Sequence, residues 1–133
     1  MTSVAVDLAT YLKGLFPGIN FYDPTTLNKA TEGVLIEQNP NPVSDVFLNY
    51  ETTTVTISVR ETGRGVRGTS KAYDDAVKIY NALRIIQDIT INGTQYDIIS
   101  AEGTPYELYG GADFSIWKFT VSIERATEDI AWQ

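Results

Sequence analysis

Positions 51–60 read "ETTTVTISVR", in which Val55, Ile57 and Val59 alternate with Thr54, Thr56 and Ser58. Successive side chains of a strand point to opposite faces, so this stretch predicts a strand with one apolar and one polar side. A second run repeats the pattern. Trp117, Phe119, Val121 and Ile123 share one parity, and Lys118, Thr120, Ser122 and Glu124 share the other. Strands of this kind belong to an antiparallel sheet covered on one side only. Phe114 and Ile116 have the wrong parity for the second run, which predicts a bulge or a twist near Ser115.

Two segments have the helical period. In residues 4–16, Leu8, Tyr11, Leu12, Leu15 and Phe16 form one apolar stripe, Thr2 or Ser3 can cap the start, and Pro17-Gly18 ends it. In residues 70–88, the stripe is Ala72, Ala76, Ile79, Leu83 and Ile86, widened by Tyr73, Val77 and Tyr80. Thr69 or Ser70 caps this helix, and Asp74 and Asp75 suit the positive end of its dipole. Residues 19–22 and 33–38 are further strand candidates, and "NPNPVSD" at 39–45 reads as a loop. Asn92-Gly93, between two β-prone runs, predicts a two-residue hairpin turn, with residues 95–101 as the returning strand. "EGTPYELYGGA" at 102–112 reads as a long loop and residues 114–125 as the last strand, leaving a loose tail over 126–133. The order α-β-β-β-α-β-β-β predicts an α+β fold: a mostly antiparallel sheet with two helices on one face, as one domain over 1–133.

Composition narrows the chemistry. The 133 residues include no cysteine and no histidine. Disulfides, thiolate metal sites, cysteine nucleophiles and histidine general bases are therefore excluded. The expectation is a protein that is not an enzyme and has no metal and no cofactor. A formal net charge of −7 favours solubility and repels nucleic acid and anionic membranes in bulk. No transmembrane span or secretory leader is expected. The carboxylates Asp74, Asp75, Glu102, Glu107, Asp113, Glu124, Glu128 and Asp129 lack calcium-loop spacing and read as surface or helix-start groups.

One stretch stands apart from the acidic background. "GRGVRG", from Gly63 to Gly68, has the letters of a dinucleotide fingerprint and precedes a helix. Its context differs from that of the fingerprint, because the preceding strand is amphipathic and the acid about twenty residues on, Asp88, falls at the end of the helix. A small nucleotide- or nucleic-acid-binding protein using this loop is thus the rival from a different class. The alternative is a basic loop in which Arg64 and Arg67 contact an acidic surface, such as the next copy of the chain. Tyr106 and Tyr109, in "PYELYGG", are either interface anchors or a cover for the end of the core.

The second half of the chain carries a resemblance. "TSKAYDDAVKIYNAL" as a helix after a strand, then "INGTQYDIIS", a loop with Pro and Tyr, and an alternating final strand resemble the tail-terminator and minor-capsid proteins of long-tailed bacteriophages. The first half is similar in element order alone. The resemblance implies a non-catalytic virion subunit, assembled in the host cytoplasm and placed at the head-proximal end of the tail. It implies a homo-oligomeric ring, usually a hexamer, that caps the tail tube protein and meets the head connector protein, with DNA passing through the lumen without specific binding. A head-completion or adaptor ring is the runner-up. Within this frame Arg64, Arg67, Tyr106 and Tyr109 are the expected subunit or partner contacts.

Overall fold

A computed structural model describes residues 3–22, 32–39, 43–45, 50–62, 71–110 and 114–126. The chain is α+β. Helix α1 spans Val4–Leu15 and α2 spans Lys71–Ala82. The strands are β1 (Phe21–Tyr22), β2 (Gly33–Gln38), β3 (Val43–Asp45), β4 (Tyr50–Thr62), β5 (Ile86–Ile91), β6 (Thr94–Gly110) and β7 (Phe114–Ala126). They form one sheet in the order β1-β2-β4-β7-β6-β5, with β3 beside the start of β4. All pairs are antiparallel except β1 with β2.

The alternating runs at the centre behave as their parity requires. Val55, Ile57, Val59, Phe119, Val121 and Ile123 are all buried, and they lie opposite one another in the ladder (Ile57 with Phe119, Val55 with Val121). Val34 and Ile36 of β2 and Ile99 of β6 extend this apolar face sideways. Both helices cover the same face. From α2, Ala72, Ala76 and Ile79 enter the core, with Leu83 just beyond the helix end. From α1 the buried stripe is Val4, Ala5, Leu8, Ala9 and Leu12, capped by the Ser3 hydroxyl, which accepts from the Val6 N–H at 3.2 Å. The expected stripe was displaced on this helix. Leu15 is exposed, and Tyr11 and Phe16 only pack against the edge of the core, because the α1 surface that meets the sheet is set by the small residues Ala5 and Ala9.

Helix α1 touches β1 and β2 at one edge of the sheet and β5 at the other.

Several expected boundaries move. The second helix stops at Ala82 rather than 88. The Leu83 N–H is still bonded back to Ile79 and Tyr80, but Ile86 pairs with Ile99 and belongs to β5. Ile86 fits both a helical stripe and a strand pattern, and pairing with β6 decides it. Asn92 (φ 50°) and Gly93 (φ 81°) form the expected two-residue turn, closed by the Ile91–Thr94 pair. Residues 102–110 are strand and not loop. Gly103 (φ 79°) and a register shift between Glu102 and Tyr106 take up Pro105 as a bulge, and pairing with β7 then resumes. No bulge occurs at Ser115: β7 stays in register with β4 from Phe114 to Ala126, so Phe114 and Ile116 lie on the face away from the helices. Part of the expected 39–45 loop is β3, which lengthens the sheet's second edge. Asp75 is buried rather than on the surface, with its carboxylate 3.8 Å from Lys71 Nζ. The helix caps expected at Thr69 or Ser70 and the tail beyond Ala126 fall outside the described residues.

One end of the core is polar. Asp7 of α1 is fully buried and accepts hydrogen bonds from the Tyr96 hydroxyl and from Asn92 Nδ2, the latter at 2.9 Å. The guanidinium of Arg125 lies 3.6 Å from the same carboxylate, and its Nε donates to Glu51 at 2.6 Å. Burial and the adjacent Asp7 carboxylate push the Tyr96 hydroxyl well above its ordinary pKa, so it stays a donor. Four elements meet here: α1, β4, β6 and β7.

Two substitutions test these constraints. Arg125→Ala removes the cation from two buried carboxylates and is expected to cost about 3–5 kcal/mol in urea unfolding, more than Arg125→Met at the same site. Gly33 has φ 129°, and an added Cβ would stand 2.6 Å from the Tyr22 ring and 2.8 Å from the Asn20 carbonyl oxygen. Gly33→Ala is expected to lose about 1–3 kcal/mol in the same assay through backbone strain and the clash.

Candidate functional site

The face away from the helices is the surface with most to offer a partner. Along β4 it is a ribbon of small hydroxyls, Thr54, Thr56 and Ser58, in which Asn39 bridges two threonines: its Nδ2 donates to Thr54 Oγ1 at 2.7 Å, and its Oδ1 accepts from Thr56 at 3.0 Å. Toward the end of β4 the character changes. The ladder places Gly33, Arg60, Ile116 and Tyr109 in one transverse row across β2, β4, β7 and β6. The adjacent row is Leu35, Ser58, Lys118 and Tyr106. Paired side chains in such rows stand about 5 Å apart on one face.

The β2, β4 and β7 members of these rows (Gly33, Arg60 and Ile116; Leu35, Ser58 and Lys118) line a groove of about 570 Å³, with Tyr22 on one side, Leu108 on the other, and Glu32 and Glu37 along the β2 side. At Gly33 the Tyr22 ring lies close against the backbone, where an added Cβ would stand 2.6 Å from it. The guanidinium of Arg60 lies over the Phe114 ring at 4.0 Å, and Phe114 stacks on Tyr109 with centroids 4.8 Å apart. Neither Arg60 nor Lys118 has an ion-pair partner among the described residues.

The strand that walls the groove is itself unusual. β5 accompanies β6 only as far as Ile99, so over residues 102–110 no described strand lies along the outer edge of β6. An unpaired edge offers a row of backbone donors and acceptors. Tyr106, Leu108 and Tyr109 on this stretch are 55%, 53% and 49% exposed. Both tyrosines are thus about half exposed, and Tyr109 spends part of its surface on the Phe114 ring.

Arg64 and Arg67 lie outside the described residues, but both ends of the segment that carries them are placed. Thr62 pairs with Phe114, so β4 ends beside the aromatic stack. At the base of the segment Lys71 Nζ lies 2.7 Å from the buried carboxylate of Glu61, joining the strand end to the helix start. The sequence pointed to Tyr106 and Tyr109, and it missed Arg60, Lys118, Leu35 and Leu108. The available signal was the parity of Phe114 and Ile116: two large apolar residues on the polar side of β7 mark a place where that side is not plain solvent-facing surface.

The "GRGVRG" segment does not sit in a dinucleotide-binding framework. In the order β4-β7-β6-β5 every step is antiparallel, so β5, the strand that follows α2, runs opposite to β4. The fingerprint works at the crossover of a parallel βαβ unit. Among the described residues no three acidic side chains converge as a metal site, and no helix is long and apolar enough to cross a membrane. Compared with known proteins, the chain matches no family model and no curated sequence.

The Glu61–Lys71 contact makes a pH-dependent prediction. Burial raises the Glu61 pKa above its ordinary 4.5, and the hydrogen bond and charge of Lys71 only partly oppose this. A carboxyl whose folded pKa is raised favours folding in its protonated form. That contribution is complete below the unfolded value and is lost as pH rises through the folded one. Stability is therefore expected to decline more steeply above pH 4.5 in the native chain than in Glu61→Gln, measured as unfolding free energy against pH. Parallel curves for the two proteins would refute this.

Proposed function

We propose that the protein is a tail terminator of a long-tailed bacteriophage: a non-catalytic subunit that assembles, with copies of itself, into a ring on the head-proximal end of the tail tube. The observation that carries this is the combination of a strand edge at residues 102–110 that no described strand covers with the exposed side chains of Tyr106, Leu108 and Tyr109 on it. Such an edge is a template for pairing with another chain, and a subunit that meets neighbours on both sides has use for one. The α+β element order and the resemblance of the second half of the chain support the same assignment. So does the acidic net charge, since an acidic lumen lets DNA slide without adhering. A hexamer bridging the tail tube protein and the head connector is the arrangement this implies.

The antiparallel relation of β4 and β5 speaks against the nucleotide-binding alternative. Arg64 and Arg67 then act as contacts to carboxylates of a neighbouring subunit or of the tube.

Two experiments test the proposal. Solution mass over a wide concentration range, with electron microscopy of the same samples and of samples mixed with tail tubes, should give rings alone or caps on tubes. Absence of both overturns it. Double replacement of Arg64 and Arg67 by alanine should weaken ring formation or capping by about tenfold or more, the weight of one or two charge-assisted contacts, with unfolding unchanged.

A further inference from the structure

The groove on the face away from the helices has two cations with no ion-pair partner among the described residues, and the chain carries a segment whose chemistry fits them. Arg60 and Lys118 lie on its floor, unpaired among the described residues. The Nε of Arg60 is enclosed yet donates no hydrogen bond. The apolar positions beside them are Leu35, Ile116 and Leu108. A complementary ligand is a short extended peptide with one or two carboxylates and a large apolar side chain next to them. Residues 127–133 read "TEDIAWQ". Glu128 and Asp129 supply the carboxylates, and Ile130 and Trp132 supply the apolar anchors.

The geometry points to a second copy of the chain as the source of that peptide. β7 runs from the groove, at Ile116 and Lys118, to Ala126 at the opposite end of the sheet. Lys118 to Ala126 spans about 26 Å at the usual strand rise. Asp129 stands three residues beyond Ala126, and its backbone reaches at most about 10 Å. The chain cannot bring its own Glu128 and Asp129 to its own Lys118, but a neighbour placed head to tail can. We infer that residues 127–133 of one copy dock in the groove of the next, with Glu128 and Asp129 facing Arg60 and Lys118 and Trp132 seated against Leu35, Leu108 and Ile116. Glu32 and Glu37 line the β2 side of the groove and disfavour the acidic part of the peptide there, which places its carboxylates toward β4 and β7. The contact joins two different surfaces, so repetition closes a ring or extends a stack. It rests on the groove and the tail alone and holds whether or not the subunit belongs to a phage tail.

The test uses the full chain, the chain ending at Ala126, and a synthetic peptide of residues 127–133. Sedimentation should show concentration-dependent association of the full chain and a monomer for the shortened one, with equal unfolding midpoints. Calorimetry should show the peptide binding the shortened chain at one site. Arg60→Ala, Lys118→Ala and a peptide with Trp132→Ala should each weaken that binding by about tenfold. Salt should weaken the native interaction more than that of the cation variants. Equal association of the full and shortened chains overturns the inference, as does absence of peptide binding at millimolar concentration. Peptide binding that is indifferent to Arg60 and Lys118 overturns it too, and so does a full chain that remains monomeric while the peptide binds.

Discussion

Arg125 holds the closed end of this molecule together. It projects from the last turn of β7 into a place where water does not reach, between Glu51 of β4 and Asp7 of α1. Each of the three charges would be costly there alone. Together with the Tyr96 hydroxyl and the Asn92 amide they satisfy one another, and a buried polar set that is fully satisfied admits few alternatives. It fixes the rotation of α1, the register of β7 against β4, and the place where the β5–β6 turn meets the helix. Everything on the far side of the sheet, including the rows that make the groove, inherits its register from this end.

The opposite end is built on different terms. There, among the described residues, no helix lies over the outer face of the sheet, β6 outruns its neighbour β5, and aromatic and cationic side chains gather. The exposed tyrosines lie outside the buried core cluster. Glu61 and Lys71 mark the border between the two regimes: a buried carboxylate held by a lysine that is itself largely in solvent.

The parts of the fold legible in the sequence were those written as alternation. Val55–Ile57–Val59 and Trp117–Phe119–Val121–Ile123 announced the two central strands, and Asn92-Gly93 announced a turn that needs positive φ at both residues. Where the sequence misled, two patterns overlapped or a cue was outweighed. Ile86 satisfied a helix and a strand equally. Pro105 and the glycines around it looked like a loop, although an edge strand with a bulge tolerates both. Asp7 falls in the first turn of α1, and only the tertiary structure reveals the tyrosine, asparagine and arginine around it. The tyrosine half of the candidate site could be read from local composition. The cationic half could not, since Arg60 and Lys118 come together only through the register of β4 with β7.

The buried carboxylate of Asp7 also sets a timetable. Its partners Asn92 and Tyr96 lie 85 and 89 residues further along the chain, and Arg125 comes later still. A ribosome delivers the first helix early and the groups that neutralise it near the end. Until then α1 has no place to put its charge and no sheet to lie in, so the amino-terminal helix, first to be made, is among the last elements to be secured. A chain released before Arg125 emerges would hold a nearly complete set of strands without the means to close them.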